Sequence, residues 1–496
     1  MIILAGDVLH HQPTPLWEAA LICATVVIHL AVIARAMLVE GREAQSRASW
    51  LILLIALPVA GIALYVLFGE PWMTARFRRS VASSADGLAR FAPAARADQR
   101  NRIAAHNAFA TCEAASGWAP SFGNFARVAP DSDAAIAMIA ADIDAARHTV
   151  HLSFYIWLDD HNGGSVAAAI CRAAARGVTC RIVADAVGSR SFIRSAHWAA
   201  MRAAGAHLCE SLRVPPGLAF LAGHRIDLRN HRKIVVVDDQ VTYCGSQNCA
   251  DPAFLIKRQF GPWVDILIRY EGPLARQANL IFAAVWMTET AEDLRPFFAG
   301  LPGVLDTADE VRPGGFAAIA VGTGPLSARG TMSDIFIACL AEARQSVTIT
   351  TPYFAPDAPL FGALLAAARR GVVLTIVFPH RNDSRIVGAI SRAYYPLLAE
   401  AGARIFEFKG GLLHAKTLVV DTRLALVGSA NMDRRSLDLN FENNVLFECA
   451  ATAGEVITHQ SRWLANSVPI DRKRAVNRSL PRRLVDNKLT IVGPLF

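Results

Sequence analysis

One composite sequence pattern occurs twice in this chain, and the duplication constrains its architecture more than any other feature. The pattern is H-x-K-x4-D-x6-G-S-x-N, with identical spacing in both copies. The first copy comprises His231, Lys233, Asp238, Gly245, Ser246 and Asn248. The second copy comprises His414, Lys416, Asp421, Gly428, Ser429 and Asn431. A lone histidine is usually structural, but lysine supplies only six of the 50 basic residues, so two such copies indicate a shared chemical task.

The sequence around the two copies repeats as well. A strand-like run at 148–157 precedes an Ala-rich stretch and the strand-like TCRIVAD of 179–185. A second strand-like run at 345–354 is followed in the same way by VLTIVF at 373–378. Because β-branched runs alternate with Ala-rich helical runs, the pattern predicts βαβ units and an α/β fold. Two duplicated halves are expected to pack as a pseudo-dimer with one shared cleft.

These repeats set the predicted boundaries of the globular part. We expect the first half at 126–300 and the second half at 331–496, the latter including a basic C-terminal tail. Residues 301–330 are rich in glycine and are predicted to link the halves and to form the start of the second one.

The first 70 residues differ from the rest of the chain. Trp50 to Phe68 form a 19-residue run without charge, and a second apolar run lies at about 17–39. Each is long enough for a helix that crosses a hydrocarbon core of about 30 Å. We therefore predict an N-terminal membrane region at 1–70, a transmembrane helical hairpin, followed by a juxtamembrane segment at 71–125. A buried helical pair of a soluble domain is the alternative.

The arginines around these runs predict the orientation. Arg76, Arg78 and Arg79 follow the second run and favour the cytoplasmic side for the bulk of the chain, as well as contact with an anionic bilayer. Arg42 and Arg47 in the short loop between the two runs oppose this orientation.

The spacing within each motif has a physical interpretation. Residues i and i+2 of a strand face the same side, so each histidine and its lysine are expected to point together into the cleft. Ser246, Asn248, Ser429 and Asn431 would add small polar donors that bind a phosphate. Two imidazoles and two ammonium groups suit a phosphodiester, since one histidine can attack phosphorus while the other protonates the leaving oxygen. Lysines can serve in place of a divalent ion, so we predict no metal and no cofactor.

The duplicated motif resembles that of the phospholipase D superfamily, over about residues 126–470. The resemblance implies a covalent phosphohistidine intermediate, with His231 as nucleophile and His414 as acid and then base; the symmetry of the motifs leaves the reverse assignment open. It also implies catalytic roles for Lys233, Asp238, Lys416 and Asp421. In relatives, a carboxylate some way past the motif binds the far nitrogen of its histidine. Asp265 in GPWVD and Glu442 in NFENN fit that role.

Further segments resemble the bacterial cardiolipin synthases within this superfamily. They are RNHRKIVVVD (229–238), GPWVDILIRYEGP (261–273), TPYFAPD (351–357), GSANMDRRSLDLNFE (428–442) and the apolar PVAGIALYVLFG (58–69). The resemblance implies transfer of a phosphatidyl group from one phosphatidylglycerol to another, which yields cardiolipin and glycerol. It also implies a location in a bacterial inner membrane, with the catalytic part on the cytoplasmic side. Phospholipid hydrolysis of the phospholipase D type is the alternative, with a nuclease or a noncatalytic membrane scaffold behind it.

Composition bears on the partners. The formal charge of +8 and the 53% apolar content favour phosphatidylglycerol and other anionic membrane lipids. The sequence contains no array of interleaved aromatic and basic residues of the kind that binds nucleic acid. Nine scattered cysteines predict reduced thiols. The apolar loop VPPGLAFLAG (214–223) is expected to contact the membrane or to cover the core, and the basic cluster from Arg472 to Arg483 to bind headgroups or remain solvated.

Overall fold

The computed structural model describes residues 16–70, 73–95, 106–214, 227–301 and 314–471, together with scattered residues between 473 and 489. Most of the apolar loop at 214–223 and all but Lys473 of the C-terminal basic cluster therefore lie outside the described residues. The chain divides into a small N-terminal unit that ends at Glu70 and a main unit that follows it.

The N-terminal unit contains three helices, α1 (Leu16–Leu38), α2 (Ala44–Ala56) and α3 (Pro58–Phe68). Among the described residues, α1 is the one helix long and apolar enough to cross a membrane. The predicted second run is not one continuous helix, because it breaks where Leu57 takes φ −133° and ψ 73° before Pro58. A proline ring disfavours helical geometry in the residue before it, which explains the break.

The helices of the main unit are mostly short and amphipathic. They are α4 (Ala75–Ala85), α5 (Asn107–Ser116), α6 (Ser132–Ala145), α7 (His161–Ala175), α8 (Arg190–Ile193), α9 (Ala196–Ala203), α10 (Leu274–Thr290), α11 (Arg295–Ala299), α12 (Thr331–Glu342), α13 (Ala358–Arg369), α14 (Arg385–Glu400) and α15 (Ala450–Ala465). A single turn of 3₁₀-helix lies at Ala89–Phe91, a longer 3₁₀ segment kinked at Lys257 lies at Leu255–Phe260, and a π-helical turn lies at Arg435–Leu439.

The strands alternate with these helices as the repeat predicts. They are β1 (Ser121–Val128), β2 (Thr149–Phe154), β3 (Thr179–Asp185), β4 (His207–Ser211), β5 (Ile234–Val237), β6 (Val241–Gly245), β7 (Trp263–Val264), β8 (Leu267–Glu271), β9 (Phe316–Thr323), β10 (Ser346–Thr350), β11 (Phe354–Ala355), β12 (Val373–Pro379), β13 (Arg404–Phe408), β14 (Leu412–Leu413), β15 (Thr417–Val420), β16 (Leu424–Gly428), β17 (Met432–Asp433), β18 (Glu442–Glu448) and β19 (Ser467–Ile470).

Fifteen strands form one mixed sheet, in the order β19-β13-β12-β10-β15-β16-β18-β9-β1-β8-β6-β5-β2-β3-β4. The order from β9 outward repeats the order from β1 outward, because β18, β16, β15, β10, β12 and β13 correspond to β8, β6, β5, β2, β3 and β4. The two halves meet where β1 pairs antiparallel with β9. The predicted α/β fold of two equivalent halves is therefore confirmed.

Three large cores, with a smaller cluster around Phe254 and Trp263, hold the described part of the main unit together. One lies under the outer helices of each half, where Ile139 and Leu152 represent the first half and Leu364 and Ile376 the second. The third is shared, since apolar side chains of β6 and β8 pack in one cluster with those of β16 and β18. The shared core also takes in α10 and α15, which follow β8 and β18 along the chain. Burial between the halves thus fixes the position of one motif against the other.

Candidate active site

Each histidine and its lysine lie in an extended segment directly before a motif strand, β5 or β15, and not on the strand itself. Each segment is tied to the backbone of the other half. The N–H of His231 donates to the carbonyl of Phe441 at 2.9 Å, and the N–H of His414 donates to that of Val264 at 2.8 Å. The strand β14 pairs in parallel with β7, which holds the second segment against the first half. The two motif segments are therefore positioned by the contact between halves.

Each histidine contacts a carboxylate supplied by the opposite half. Nδ1 of His231 lies 2.9 Å from a carboxylate oxygen of Glu442, and Nδ1 of His414 lies 2.7 Å from Asp265. The expectation that each carboxylate serves the histidine of its own motif is therefore wrong. An ionised carboxylate can only accept, so each Nδ1 carries the proton. The other ring nitrogen, Nε2, is then the one that can act on a substrate.

Both histidines are uncharged in this environment at neutral pH. Burial lowers the pKa of His231 to about 4; the charge of Glu442 opposes the shift, whereas Lys233 and Lys416 add to it. Burial likewise lowers the pKa of His414 to about 4, with both lysines adding to the shift and Asp265 opposing it. Because each histidine feels the lysine of the other motif, the two motifs form one site.

The two carboxylates remain ionised despite their burial. Burial alone would raise the pKa of Glu442, but the neighbouring His231 and Lys233 hold it below its usual value. Burial opposes ionisation of Asp265 too, and His414 and Lys416 again bring its pKa below the usual range. The pairs therefore consist of a neutral imidazole and an anion that will stabilise positive charge on it.

The two lysines are buried beside the histidines. Lys233 donates from Nζ to the carbonyl of His231 at 2.8 Å, and Lys416 donates to the carbonyl of His414 at 2.5 Å. Burial lowers the pKa of Lys233 to about 8 and that of Lys416 to about 7, although the nearby carboxylates oppose the shift. A buried ammonium gains from an anion in the cleft, so the arrangement favours a phosphate between the two halves.

The motif serines hold the carboxylates instead of lining a phosphate site. Ser246 donates from Oγ to Asp265 at 2.5 Å and accepts from the N–H of Ile266 at 3.1 Å. Ser429 donates in the same way to Glu442. Each serine lies in the same half as its carboxylate, so it positions the acceptor for the histidine of the other half. This geometry corrects the predicted phosphate-binding role of both hydroxyls.

The motif asparagines differ from each other. Asn248 accepts from the N–H of Ile156 at 3.3 Å through Oδ1. Asn431 donates to Ser436 at 3.2 Å, and its buried Oδ1 has no hydrogen-bond partner among the described residues. The structure thus gives Asn248 a backbone contact and leaves an acceptor on Asn431, so phosphate binding by either amide stays a prediction.

The motif aspartates lie away from the histidines, at the far ends of β5 and β15. Asp238 accepts three backbone N–H groups, from Arg147, His148 and Thr149, each at 2.8 Å. Asp421 accepts the N–H groups of 344–346 at the same distance. Both residues have positive φ, 51° and 46°, which aspartate tolerates better than most side chains. We therefore assign them a structural role, anchoring the start of β2 and β10, instead of the predicted catalytic one.

Three aromatic side chains that the motif does not include complete the site. The ring of Tyr155 stands edge-on to His231 with centroids 4.9 Å apart, and Lys233 lies over it at 5.6 Å. Trp263 lies 4.6 Å from His414, and Tyr353 lies 6.4 Å from that ring. Tyr155 and Tyr353 follow the strands that pair with the motif strands, so their place after β2 and β10 is the signal that could have found them.

The described residues contain neither of the side-chain groupings that metal sites and disulfides require. Among the described residues, no group of three or more His, Cys, Asp or Glu side chains could hold a metal ion. All nine cysteines are free thiols.

Comparison with known proteins identifies the family. A family profile described as "Cardiolipin synthase, PLD-like domain" matches residues 139–286 and 336–463, one match in each half. The chain belongs to this family. A second profile, "Phospholipase_D-nuclease N-terminal", matches residues 21–70, which include the three N-terminal helices except the start of α1.

Relatives within the cardiolipin synthase family align over nearly the whole chain. Cardiolipin synthase A of Citrobacter koseri is 34% identical over 466 residues, which is 93% of this chain and 95% of the relative. Cardiolipin synthase A of Klebsiella pneumoniae is 33% identical with the same coverage. Among solved structures, phosphatidylserine synthase of Haemophilus influenzae has a TM-score of 0.55 at 13% identity and covers 75% of this chain and 95% of its own. That likeness shows a shared fold.

Proposed function

We propose that this chain is a cardiolipin synthase, which transfers a phosphatidyl group from one phosphatidylglycerol to the terminal hydroxyl of another and releases glycerol. The observation that carries the proposal is the pair of crossed histidine–carboxylate contacts, with two buried lysines beside them, in a chain of the cardiolipin synthase family. Such a set can hold a phosphodiester anion and can act on both sides of its phosphorus.

In the first step, Nε2 of His231 attacks phosphorus. A P–N bond forms while the P–O bond to the glycerol headgroup breaks. His414, protonated at Nε2, gives its proton to the leaving glycerol oxygen. The histidine is uncharged in the free enzyme, but a bound phosphodiester adds a negative charge and Asp265 stabilises the imidazolium, so the substrate itself promotes the acid form.

In the second step, the terminal hydroxyl of another phosphatidylglycerol attacks the same phosphorus. His414 now accepts the hydroxyl proton, the P–N bond breaks, and His231 returns to its neutral form. The number of phosphodiester bonds is unchanged, so the exchange requires no nucleotide. Lys233 and Lys416 stabilise the charge on the nonbridging oxygens in both steps.

We also propose that the N-terminal unit anchors the enzyme as a two-pass hairpin, with the main unit on the cytoplasmic side of a bacterial inner membrane. The length and apolar surface of α1 support one span. The combined length of α2 and α3 supports the other, since a proline break is tolerated in a membrane where neighbouring groups satisfy the backbone. Both lipid substrates reside in the bilayer, which gives the anchor a purpose.

The decisive experiment places the purified protein in phosphatidylglycerol vesicles and separates the products. Cardiolipin and glycerol in equal amounts are expected. Phosphatidic acid as the main product would overturn the synthase and support the hydrolase instead. Labelling of cysteines introduced before α1 and after α3, in sealed cells, tests the two-pass arrangement: both labels are expected on the same side.

A further inference from the structure

A cavity of about 340 Å³ lies beside the catalytic segment of the first half. Its walls come from α4, α10, the end of α5 and the end of β9, and most of its lining is apolar. Pockets for small molecules span about 300–1,000 Å³, and an apolar cavity of about 150 Å³ already binds benzene. This space, which we call the α4 cavity, is therefore large enough for a sizeable apolar group.

The helix α4 forms one wall of the cavity. Phe77 and Val81 are half-buried and line the cavity, one helical turn apart. Arg76, Arg78 and Arg79 are exposed on the same helix. A short helix with apolar residues on one face and arginines elsewhere is typical of elements that lie on an anionic bilayer. The apolar lining thus stands close to where acyl chains would be available.

One end of the cavity is polar and lies at the catalytic segment. Asn230 and Thr323 both line it, and Asn230 Oδ1 and Thr323 Oγ1 are buried without hydrogen-bond partners within the described chain. The amide nitrogen of Asn230 is satisfied by Ser153 at 3.0 Å, which directs its oxygen elsewhere. A buried acceptor and a buried hydroxyl left unpaired are costly, so they indicate a ligand with an oxygen-bearing end.

The charged groups in the lining are already engaged. Arg232 donates to the carbonyls of Glu442 and Thr323, both at 3.1 Å. Glu289 accepts the N–H of Leu212 at 3.0 Å, and burial raises its pKa to about 7. Neither side chain therefore demands a charged ligand. An occupant with an apolar body and a neutral ester end fits the lining.

The second half offers a different environment at the equivalent position. Leu413 and Ala415 flank His414 where Asn230 and Arg232 flank His231, and both are fully buried in the shared core. Neighbouring residues of an extended segment point to opposite sides, so the cavity lies behind His231 and runs alongside the segment that carries it. The cavity therefore adjoins the segment of the first half, whose histidine would carry the phosphatidyl group, and not the segment of the second half.

We propose that the α4 cavity binds one acyl chain of the phosphatidylglycerol that donates its phosphatidyl group, with an ester oxygen near Asn230 and Thr323. The proposal rests on the proposed function and adds a chain-binding subsite to it. Because the chain stays in place while the headgroup leaves, the subsite keeps the phosphatidyl-enzyme in position until the second lipid arrives.

Photo-crosslinking tests the subsite without depending on turnover. The probe is phosphatidylglycerol with a diazirine at the end of one acyl chain, in phosphatidylglycerol vesicles with the full-length protein. Labelled peptides from α4 and α10 are expected. Ala82→Phe should reduce this labelling about tenfold, because Ala82 lines the cavity at its exposed rim, where a ring would obstruct the entry of an acyl chain. Ala75→Phe makes the same change on the same helix at an exposed residue outside the lining, and should label like the wild type.

The outcomes separate the subsite from the overall reaction. Equal labelling of Ala82→Phe and Ala75→Phe, or no label in either helix, would overturn the subsite. Equal labelling of α4 and α10 by a diazirine-tailed phosphatidylcholine would show that the cavity takes bilayer lipid in general and would overturn its assignment to the donor. If labelling follows expectation but no cardiolipin forms, the subsite stands and the proposed function fails.

A kinetic measurement gives an independent reading. In the wild type, the KM for phosphatidylglycerol should fall as the acyl chains lengthen, since more apolar surface is buried. In Ala82→Phe this dependence should flatten, with a KM for long chains raised about tenfold. A dependence on chain length as steep as that of Ala75→Phe would contradict the proposal.

Discussion

The first and second halves of the main unit share a strand order and a motif, yet they surround their histidines differently. In both halves the lysine donates to the carbonyl of its own histidine. The motif aspartate of each half accepts backbone N–H groups at the start of the neighbouring strand, β2 or β10. The segment with His231, however, borders a cavity, whereas His414 lies between two residues buried in the shared core. Duplication has kept the chemical groups alike, and the difference in their surroundings distinguishes their tasks.

Substitution of the two active-site histidines is expected to have the largest effect on turnover. His231→Ala and His414→Ala should each lower cardiolipin formation by about 10³-fold or more, because a nucleophile or an acid–base group is lost. The exposed His148 is the control, and its change to Ala should leave turnover unchanged. Full activity in either active-site variant would refute the paired mechanism.

A substrate with a nitrophenol leaving group separates the two roles, because nitrophenol needs no proton to depart. With such a phosphatidyl ester, His414→Ala should still form the covalent adduct and accumulate it. His231→Ala should form none. Mass spectrometry of the quenched protein measures the adduct, and the reverse pattern would exchange the roles of the two halves.

The crossed carboxylates give the next largest effect. Glu442→Gln should slow adduct formation about 10²-fold, because it serves His231 of the other half. Asp265→Asn should instead slow adduct breakdown, because it serves His414. Rapid-quench kinetics with the nitrophenyl substrate measures both steps, with the exposed Glu400→Gln as a control. If Glu442→Gln slowed adduct breakdown and Asp265→Asn slowed adduct formation, the crossed contacts would not govern the reaction.

The two lysines predict a pH dependence of turnover. Their pKa values, about 8 for Lys233 and about 7 for Lys416, differ only slightly between the halves. A protonated lysine binds the phosphate, so kcat/KM for adduct formation with the nitrophenyl substrate, whose leaving group needs no proton from His414, should fall as pH rises through about 7, where Lys416 loses its proton in the free enzyme. It should also fall below pH 4, where His231 becomes protonated and cannot attack. In Lys416→Met the alkaline limb should move up to about 8, the pKa of Lys233. An alkaline limb that stayed at 7 would contradict this assignment.

The motif aspartates are expected to affect stability far more than turnover, and equally in both halves. Asp238→Asn and Asp421→Asn each weaken three hydrogen bonds to backbone amides, so each should lower the free energy of unfolding by about 1–3 kcal/mol. Urea unfolding in detergent measures the loss, and kcat of the folded protein should change little. The exposed Asp159→Asn should change neither. A large loss of kcat at unchanged stability would restore a catalytic role.

Local patterns in the sequence predicted much of this molecule. The duplicated motif and the alternation of β-branched and Ala-rich runs predicted the α/β fold and its two halves. The motif also named both histidines and both lysines of the site, and the family resemblance implied both carboxylates. These inferences depend on the strand period and on the spacing of residues near one another in the chain.

The sequence could not predict which carboxylate contacts which histidine, because those contacts depend on how the two halves pack against each other. Glu442 lies 211 positions along the chain from His231, which it contacts, and Asp265 lies 149 positions from His414. The spacing within one half is the same whether the contacts cross or not, so the sequence could not decide between them. Ser246 and Ser429 were misassigned for a related reason, because the carboxylates they hold come from beyond the motif.

The crossed contacts make each reactive histidine the joint product of two stretches of chain. A protein cut between its halves would have to be reassembled from both fragments before either imidazole was correctly held. Sequence drift in one half is likewise felt by the reactive nitrogen of the other. A single half with one copy of the motif would therefore need a second molecule to complete its histidine–carboxylate pair.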